Sequence, residues 1–288
     1  MNGERLFEDP RAVLKRHGLR PKRSWGQNFL ASGRAVETLA RLCVDRPGRH
    51  VIEIGAGLGT LTGALLAVGG RVTAIERDPD MCRVLEAEFS GRPGFELARD
   101  DAATFDYDAC LSAEPGVLAG NLPYQLTGRI LRRVIDGAAP FVRAVLMVQA
   151  EVADRIVAAP GSRSRGALSA MIQARFEPRV ALTLQPRAFV PPPAVRSAVV
   201  VLEPRPATIF EGLAAAAFDR AVKAAFSGRR KTVRNSLLQA GAGSAEAVST
   251  VLSSASIDPG ARAEVLTNAE LVALVRALAA LATGREPR

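Results

Sequence analysis

Between residues 51 and 148, short apolar runs alternate with segments whose apolar positions recur at helical spacing. Val51–Ile54, Val72–Ile75, Phe95–Leu97, Val117–Ala119 and Val142–Val148 read as buried strands, with Leu61–Val68, Pro79–Phe89 and Ile130–Ile135 as helices between them. This alternation predicts an α/β fold, a parallel sheet covered by helices on both faces. Ligands of such sheets gather at the carboxyl ends of the strands. Gly55, Glu76, Asp101 and Asn121 all fall at or just beyond predicted strand ends, so one crevice is expected to collect them.

Outside that block the pattern changes. Residues 1–24 read as a mobile basic arm, and Trp25-Gly-Gln-Asn-Phe-Leu30 leads into a helix over Ala35–Leu42 that Pro47-Gly48 ends. After Glu151–Ala158 comes a polar segment, Pro160-Gly-Ser-Arg-Ser-Arg-Gly166, then another helix and the runs Val180–Leu184 and Ala198–Leu202. Those last two runs are expected to close the sheet as a late antiparallel pair. Glu203-Pro-Arg-Pro-Ala-Thr208 reads as a linker, because two prolines interrupt pairing. Beyond it, Phe210–Phe226, Thr232–Leu238, Ala245–Leu252 and Leu266–Leu281 predict a small all-helical module. The expected division is therefore 1–24, 25–204 and 205–288. A chain of 288 residues, 48% of them hydrophobic, accommodates one full α/β domain and a smaller partner.

Charge adds a polyanionic partner. The formal net charge is +9, and its clustering is more informative than its total. Arg11, Lys15, Arg16, Arg20, Lys22 and Arg23 form an acid-free group, and Lys223, Arg229, Arg230, Lys231 and Arg234 form a second. Phosphate contacts supply most nucleic-acid affinity, so RNA is the expected partner. Cys43, Cys82 and Cys110 lack C-x-x-C spacing, and His17 and His50 are the only histidines, which argues against disulfides, a metal and histidine chemistry. No run reaches the roughly 20 apolar residues of a membrane span, and the basic, polar N-terminus is unlike a signal peptide. A soluble cytoplasmic protein is expected, a monomer by default.

Two segments carry chemistry. Val51-Ile-Glu-Ile-Gly-Ala-Gly-Leu-Gly59 is a strand running into a glycine-rich turn, where bare backbone approaches a ligand. Its third glycine comes one residue early for a dinucleotide fingerprint. Glu76 suits ribose hydroxyls, which leaves NAD and S-adenosylmethionine both open at this point. Asp101 suits an adenine amine, while Asp100 reads equally as a helix start; Asp78-Pro79 reads as an N-cap followed by a first-turn proline. In Asn121-Leu-Pro-Tyr124, the Asn121 side-chain oxygen and the Leu122 carbonyl can accept from an exocyclic amine, with Tyr124 as a stacking face and Phe189 as a second wall. Together the two segments suggest methyl transfer to a base nitrogen.

The ordered set Gly26-Gln-Asn-Phe-Leu30, Glu53-Ile-Gly-Ala-Gly57, Asn121-Leu-Pro-Tyr124, Ala188-Phe-Val-Pro-Pro-Pro193, Ser197-Ala-Val199 and Phe226-Ser-Gly-Arg-Arg-Lys-Thr-Val-Arg-Asn-Ser-Leu237 resembles the ribosomal RNA small-subunit adenine dimethyltransferase family, from about Arg20 to Leu238. The resemblance implies a Rossmann-like class I methyltransferase domain with a small C-terminal helical domain. It implies that Asn28, Leu30, Gly55, Gly57, Glu76, Asp101 and Asn121 bind S-adenosyl-L-methionine, and that Leu122, Tyr124 and Phe189 frame the target adenine. The implied substrate is a pair of adjacent adenosines near the 3′ end of 16S rRNA in an assembling small subunit, gripped by Arg20, Lys22, Arg23 and the second basic group. Gln125 and Thr127-Gly128 depart from the usual Asn and Ser-Thr. The alternatives are a macrolide-resistance type of methyltransferase acting on 23S rRNA, a non-catalytic assembly factor, and an NAD-dependent oxidoreductase.

Overall fold

A computed structural model describes residues 7–22, 25–111, 114–123, 127–136, 141–205, 213–228 and 230–282. In chain order, α1 (Pro10–Arg16), β1 (Phe29–Leu30) and α2 (Gly33–Cys43) precede the alternating block. That block runs β2 (His50–Ile54), α3 (Thr60–Ala67), β3 (Arg71–Ile75), α4 (Pro79–Phe89), β4 (Phe95–Ala98), α5 (Tyr107–Leu111), β5 (Gly116–Asn121), α6 (Thr127–Asp136) and β6 (Phe141–Gln149). Then follow α7 (Ala150–Ile156), α8 (Ala167–Gln173), β7 (Phe176–Leu184), β8 (Phe189–Val190) and β9 (Ser197–Pro204). The chain continues with α9 (Ala215–Ala225), α10 (Val233–Gln239), α11 (Ala245–Ser254) and α12 (Asn268–Ala282).

Seven strands form one sheet in the order β4-β3-β2-β5-β6-β9-β7. The pairs from β4 to β6 are parallel, and β9 runs antiparallel to β6. The Val180–Leu184 and Ala198–Leu202 runs thus complete one side of the sheet, as expected. Strand order reverses at β2, with β3 and β4 on one side and β5 and β6 on the other. The gap beyond the carboxyl ends of β2 and β5 is therefore the topological switch point. Every residue of β2 is buried, as a strand covered on both faces requires. Val51, Val117 and Val145 pack with Val36, Leu39 and Leu65 of α2 and α3, while the alternate residues Ile52, Leu118 and Leu146 are buried by the opposite layer.

The chain divides into two compact units, Met1–Ala153 with Arg179–Pro204, and Asp154–Pro178 with Arg205–Arg288. The expected break at 204/205 recurs here, but the expected continuous block 25–204 is corrected: residues 154–178 fall with the C-terminal helices. Arg165 shows why. Its buried guanidinium donates to the Leu266 carbonyl (3.3 Å) and Asn268 Oδ1 (3.0 Å), and Arg175 pairs with Asp219 of α9 at 2.9 Å. Within this unit, Phe218, Val233, Leu237, Leu252 and Leu274 of α9 to α12 supply a core.

The reading of residues 1–24 as a mobile arm is likewise corrected for the described residues 7–22. Asp9 caps α1 by accepting the Arg11 N–H at 2.8 Å, and Val13 and Leu14 are buried against Phe29, Leu58, Met81 and Val84. A seven-residue helix is less than two full turns, too short for its apolar positions to show a helical period in advance. Among the described residues no helix is long and apolar enough to cross a membrane.

Candidate active site

The glycine turn leaves β2 with Gly55, Gly57 and Gly59 at φ values of +66°, +57° and +77°. A side chain at Gly57 would be strained in that left-handed region and would stand 3.1 Å from Phe29. The Gly57 N–H donates to Glu76 Oε2 at 2.9 Å, while Glu76 Oε1 accepts from the Arg77 and Asp78 N–H groups, each at 2.8 Å. These bonds fix the carboxylate and leave acceptor capacity on Oε2. Burial pushes the Glu76 carboxyl above its usual range, and the three N–H groups oppose that shift. Asp78 caps α4 through the Asp80 N–H at 3.0 Å, with Pro79 first in the helix.

Across the switch point, Ile54 pairs with Gly120, so Asn121 emerges beside Gly55. Asn121 Nδ2 donates to the Asn28 carbonyl at 2.9 Å, and Asn28 Nδ2 donates to the Gly26 carbonyl at 3.0 Å. A carbonyl can only accept, so this contact determines which end of the Asn121 amide carries the oxygen. The Leu122 N–H is anchored on the Met147 carbonyl at 3.0 Å, and the Pro123 carbonyl accepts from the Thr127 N–H (3.1 Å) and hydroxyl (3.2 Å). Thr127 therefore anchors the Pro123 carbonyl.

One pocket is lined by Asn28, Leu30, Gly55, Gly57, Glu76, Asp101, Asn121 and Leu122, all named from the sequence. Asp101 Oδ1 accepts the Ala103 N–H at 2.8 Å and Oδ2 pairs with Arg77 at 3.2 Å; Asp100 also lines the pocket and accepts the Asp101 N–H at 2.7 Å. Tyr124 and Gln125 lie outside the described residues. Phe189 is corrected: it is 1% exposed, pairs with Leu30 in a small antiparallel ladder and belongs to the core, so it offers no open face for stacking.

Sequence reading missed Glu53, which also lines the pocket. Its buried carboxyl accepts the Thr62 hydroxyl at 2.6 Å, and burial pushes its pKa up to about 8. A lone acid in an otherwise apolar strand was the available signal. Trp25 and Arg77, also unassigned, line the same pocket.

Of the basic residues, Arg20 is exposed, whereas Lys22 is held by Asp78 (2.7 Å) and Asp80 (2.5 Å). The first basic group is thus acid-free in sequence but not in space, since Arg16 pairs with Glu8 and Glu88 and Arg11 with Asp9. Lys223 at the end of α9 is exposed, as are Arg230 and Lys231 before α10. Lys231 contacts the neutral Gln239 amide at 2.6 Å, and Arg234 is half-buried near Ser249. Arg23 and Arg229 lie outside the described residues.

The family model for ribosomal RNA adenine dimethylase matches residues 18–279. The chain belongs to this family. The dimethylase is 44% identical over 276 residues to the ribosomal RNA small subunit methyltransferase A of Myxococcus xanthus (strain DK1622), covering 96% of this chain and 97% of that protein. Among solved structures, the 23S rRNA methyltransferase ErmE aligns with a TM-score of 0.66 at 27% identity, over 88% of this chain and all (100%) of that one. A dimethyladenosine transferase from Plasmodium falciparum shares the fold, with a TM-score of 0.73 at 21% identity over 85% and 95% of the two chains. The dimethylase is accordingly a Rossmann-like methyltransferase whose methyl donor is S-adenosylmethionine, and the NAD reading falls away. The pocket suits that donor: bare backbone at Gly55 and Gly57, carboxylates at Glu76 and Asp101, and apolar walls from Leu30 and Leu122.

Proposed function

We propose that this dimethylase places two methyl groups on the exocyclic N6 of each of two adjacent adenosines in the 3′-terminal helix loop of 16S rRNA. It would act as a monomer on the assembling small subunit in the cytoplasm. The observation that carries the site assignment is the Asn121 amide, pinned by the Asn28 carbonyl beside the glycine turn. Asn28, Leu30, Gly55, Gly57, Glu76, Asp101 and Asn121 would hold S-adenosylmethionine, which supplies an electrophilic methyl on a sulfonium. The lone pair of the adenine amine is delocalised into its ring, so what the chain must supply is orientation. Asn121 Oδ1 and the Leu122 carbonyl accept the amine hydrogens and turn the lone pair out of the ring plane. So oriented, the nitrogen would face the donor's methyl group, and the proton it must shed after transfer would pass to water, since no strong base is needed beforehand; two transfers per adenosine would require two donors. Tyr124 stacks on the extruded base and offsets part of the few kcal/mol that unstacking typically costs. Arg20, Arg23, Lys223, Arg229, Arg230, Lys231 and Arg234 grip phosphates, with residues 205–288 as the main RNA-binding part. Lys22 contributes less, its charge being answered by Asp78 and Asp80.

The test is methyl transfer from labelled S-adenosylmethionine to undermethylated small subunits, with reverse-transcription stops mapping the products. Stops at two adjacent 3′-end adenosines are expected. Labelling of large subunits instead would favour the macrolide-resistance type, and tight subunit binding without incorporation would favour an assembly factor.

A further inference from the structure

Trp25 is the chain's one tryptophan, and it lines the cofactor pocket while remaining 37% exposed. Two cations lie over its ring: Arg77 Cζ at 5.1 Å from the centroid and Lys22 Nζ at 5.4 Å. Arg77 also reaches Asp101 Oδ2 at 3.2 Å, so one guanidinium joins the aromatic ring to the carboxylate. The segment bearing Trp25 is tied down beside it. Gln27 Nε2 donates to Asp78 Oδ2 at 2.7 Å, Gln27 Oε1 accepts the Lys22 N–H at 2.8 Å, and Lys22 Nζ reaches Asp78 Oδ1 at 2.7 Å. A large ring placed at the pocket wall rather than in the core, and held there by a bridging arginine, is an arrangement that stability does not require: exposed pairs of this kind contribute little to folding.

We propose that Arg77 is a positioning residue for the adenine end of the cofactor, orienting the Asp101 carboxylate toward a purine 6-amino group and holding Trp25 as the outer wall. The inference rests on the assignment of Asp101 to the cofactor in the preceding section. Asp101 keeps its Ala103 bond when Arg77 is removed, but it loses the contact that fixes its second oxygen. Selectivity for an amine over an oxo group at purine position 6 should then relax, because an acceptor rejects a carbonyl only where it is held facing it.

The experiment titrates the full chain with S-adenosylhomocysteine and with S-inosylhomocysteine, which carries an oxygen in place of the amine, and follows tryptophan emission. In the unaltered chain, emission is expected to change saturably with the adenosyl ligand, and the inosyl ligand should bind about 10- to 100-fold more weakly. Arg77→Ala should shrink that ratio to about 3-fold or less and reduce the emission change, with Arg77→Lys in between. A merely structural Arg77 would weaken both ligands equally, and that result, or an unchanged ratio, overturns the proposal. Asp101→Ala separates the two levels of the argument. If it leaves the ratio intact, the Asp101 assignment itself is wrong; if it collapses the ratio while Arg77→Ala does not, only the role of Arg77 fails.

Discussion

Asn121 illustrates how far a single residue can be read. Its place at the pocket was legible because it follows a predicted strand end next to the glycine turn; which way its amide faces depends on Asn28, 93 positions away in the chain. Asn121→Ala should lower methyl incorporation by about 10²-fold or more, the usual cost of losing one preorganised polar group, and a rate within a few-fold of the original would remove Asn121 from the mechanism. Glu53 is the opposite case, visible as a residue and opaque as chemistry. Its folded pKa of about 8 lies above the 4.5 of an ordinary glutamate, so the folded protein keeps a proton that the unfolded chain releases. The stability tied to that proton is complete below 4.5, declines as pH rises, and is gone once pH has passed about 8. Melting temperatures at about pH 5 and about pH 9 should therefore differ less in Glu53→Gln than in the original chain. Equal pH dependence in both would show that Glu53 is ionised in the fold.

At the scale of elements, strongly patterned segments were legible, and the short helices α1 and α5 were not. Pro79–Phe89 is read correctly to the residue because Asp78 caps it and an apolar stripe of Met81, Val84 and Leu85 faces the core. The helix of Tyr107–Leu111 has one turn and no such stripe, and α1 depends on contacts made far along the chain. Short helices owe most of their stability to packing, so local sequence carries little of their signal. What the local pattern did not show is how α8 and α9 are joined: Arg175, just past α8, donates to both the Met171 carbonyl (3.0 Å) and Asp219 of α9 (2.9 Å). Asp219→Ala removes one carboxylate from the largely buried Arg175 guanidinium, which keeps its Met171 carbonyl, so a loss of about 1 to 3 kcal/mol is expected. Urea denaturation of the full chain should show that loss; a change under about 0.5 kcal/mol, the range of surface substitutions, would mean the pair is incidental.

For the molecule as a whole, the net charge of +9 becomes a statement about salt. If Lys223, Arg230 and Lys231 each meet a phosphate, replacing all three by Gln should reduce the slope of log affinity for rRNA against log salt by about 2 to 3, read from filter binding over a salt series. An unchanged slope would place the RNA on another surface. Short-range periodicity and close spacing made the α/β class, the order of the central elements and the glycine turn readable along the chain, and the family was readable as a resemblance carried by motifs spread from Gly26 to Leu237. Contacts between distant residues, invisible in that pattern, put residues 154–178 with the C-terminal helices, Phe189 in the core, Lys22 against Asp78 and Asp80, and Glu53, Trp25 and Arg77 in the pocket wall. The physical reason is common to all of these: burial and charge pairing depend on which distant residues the sheet order brings within a few ångströms, and local patterns along the chain do not carry that information.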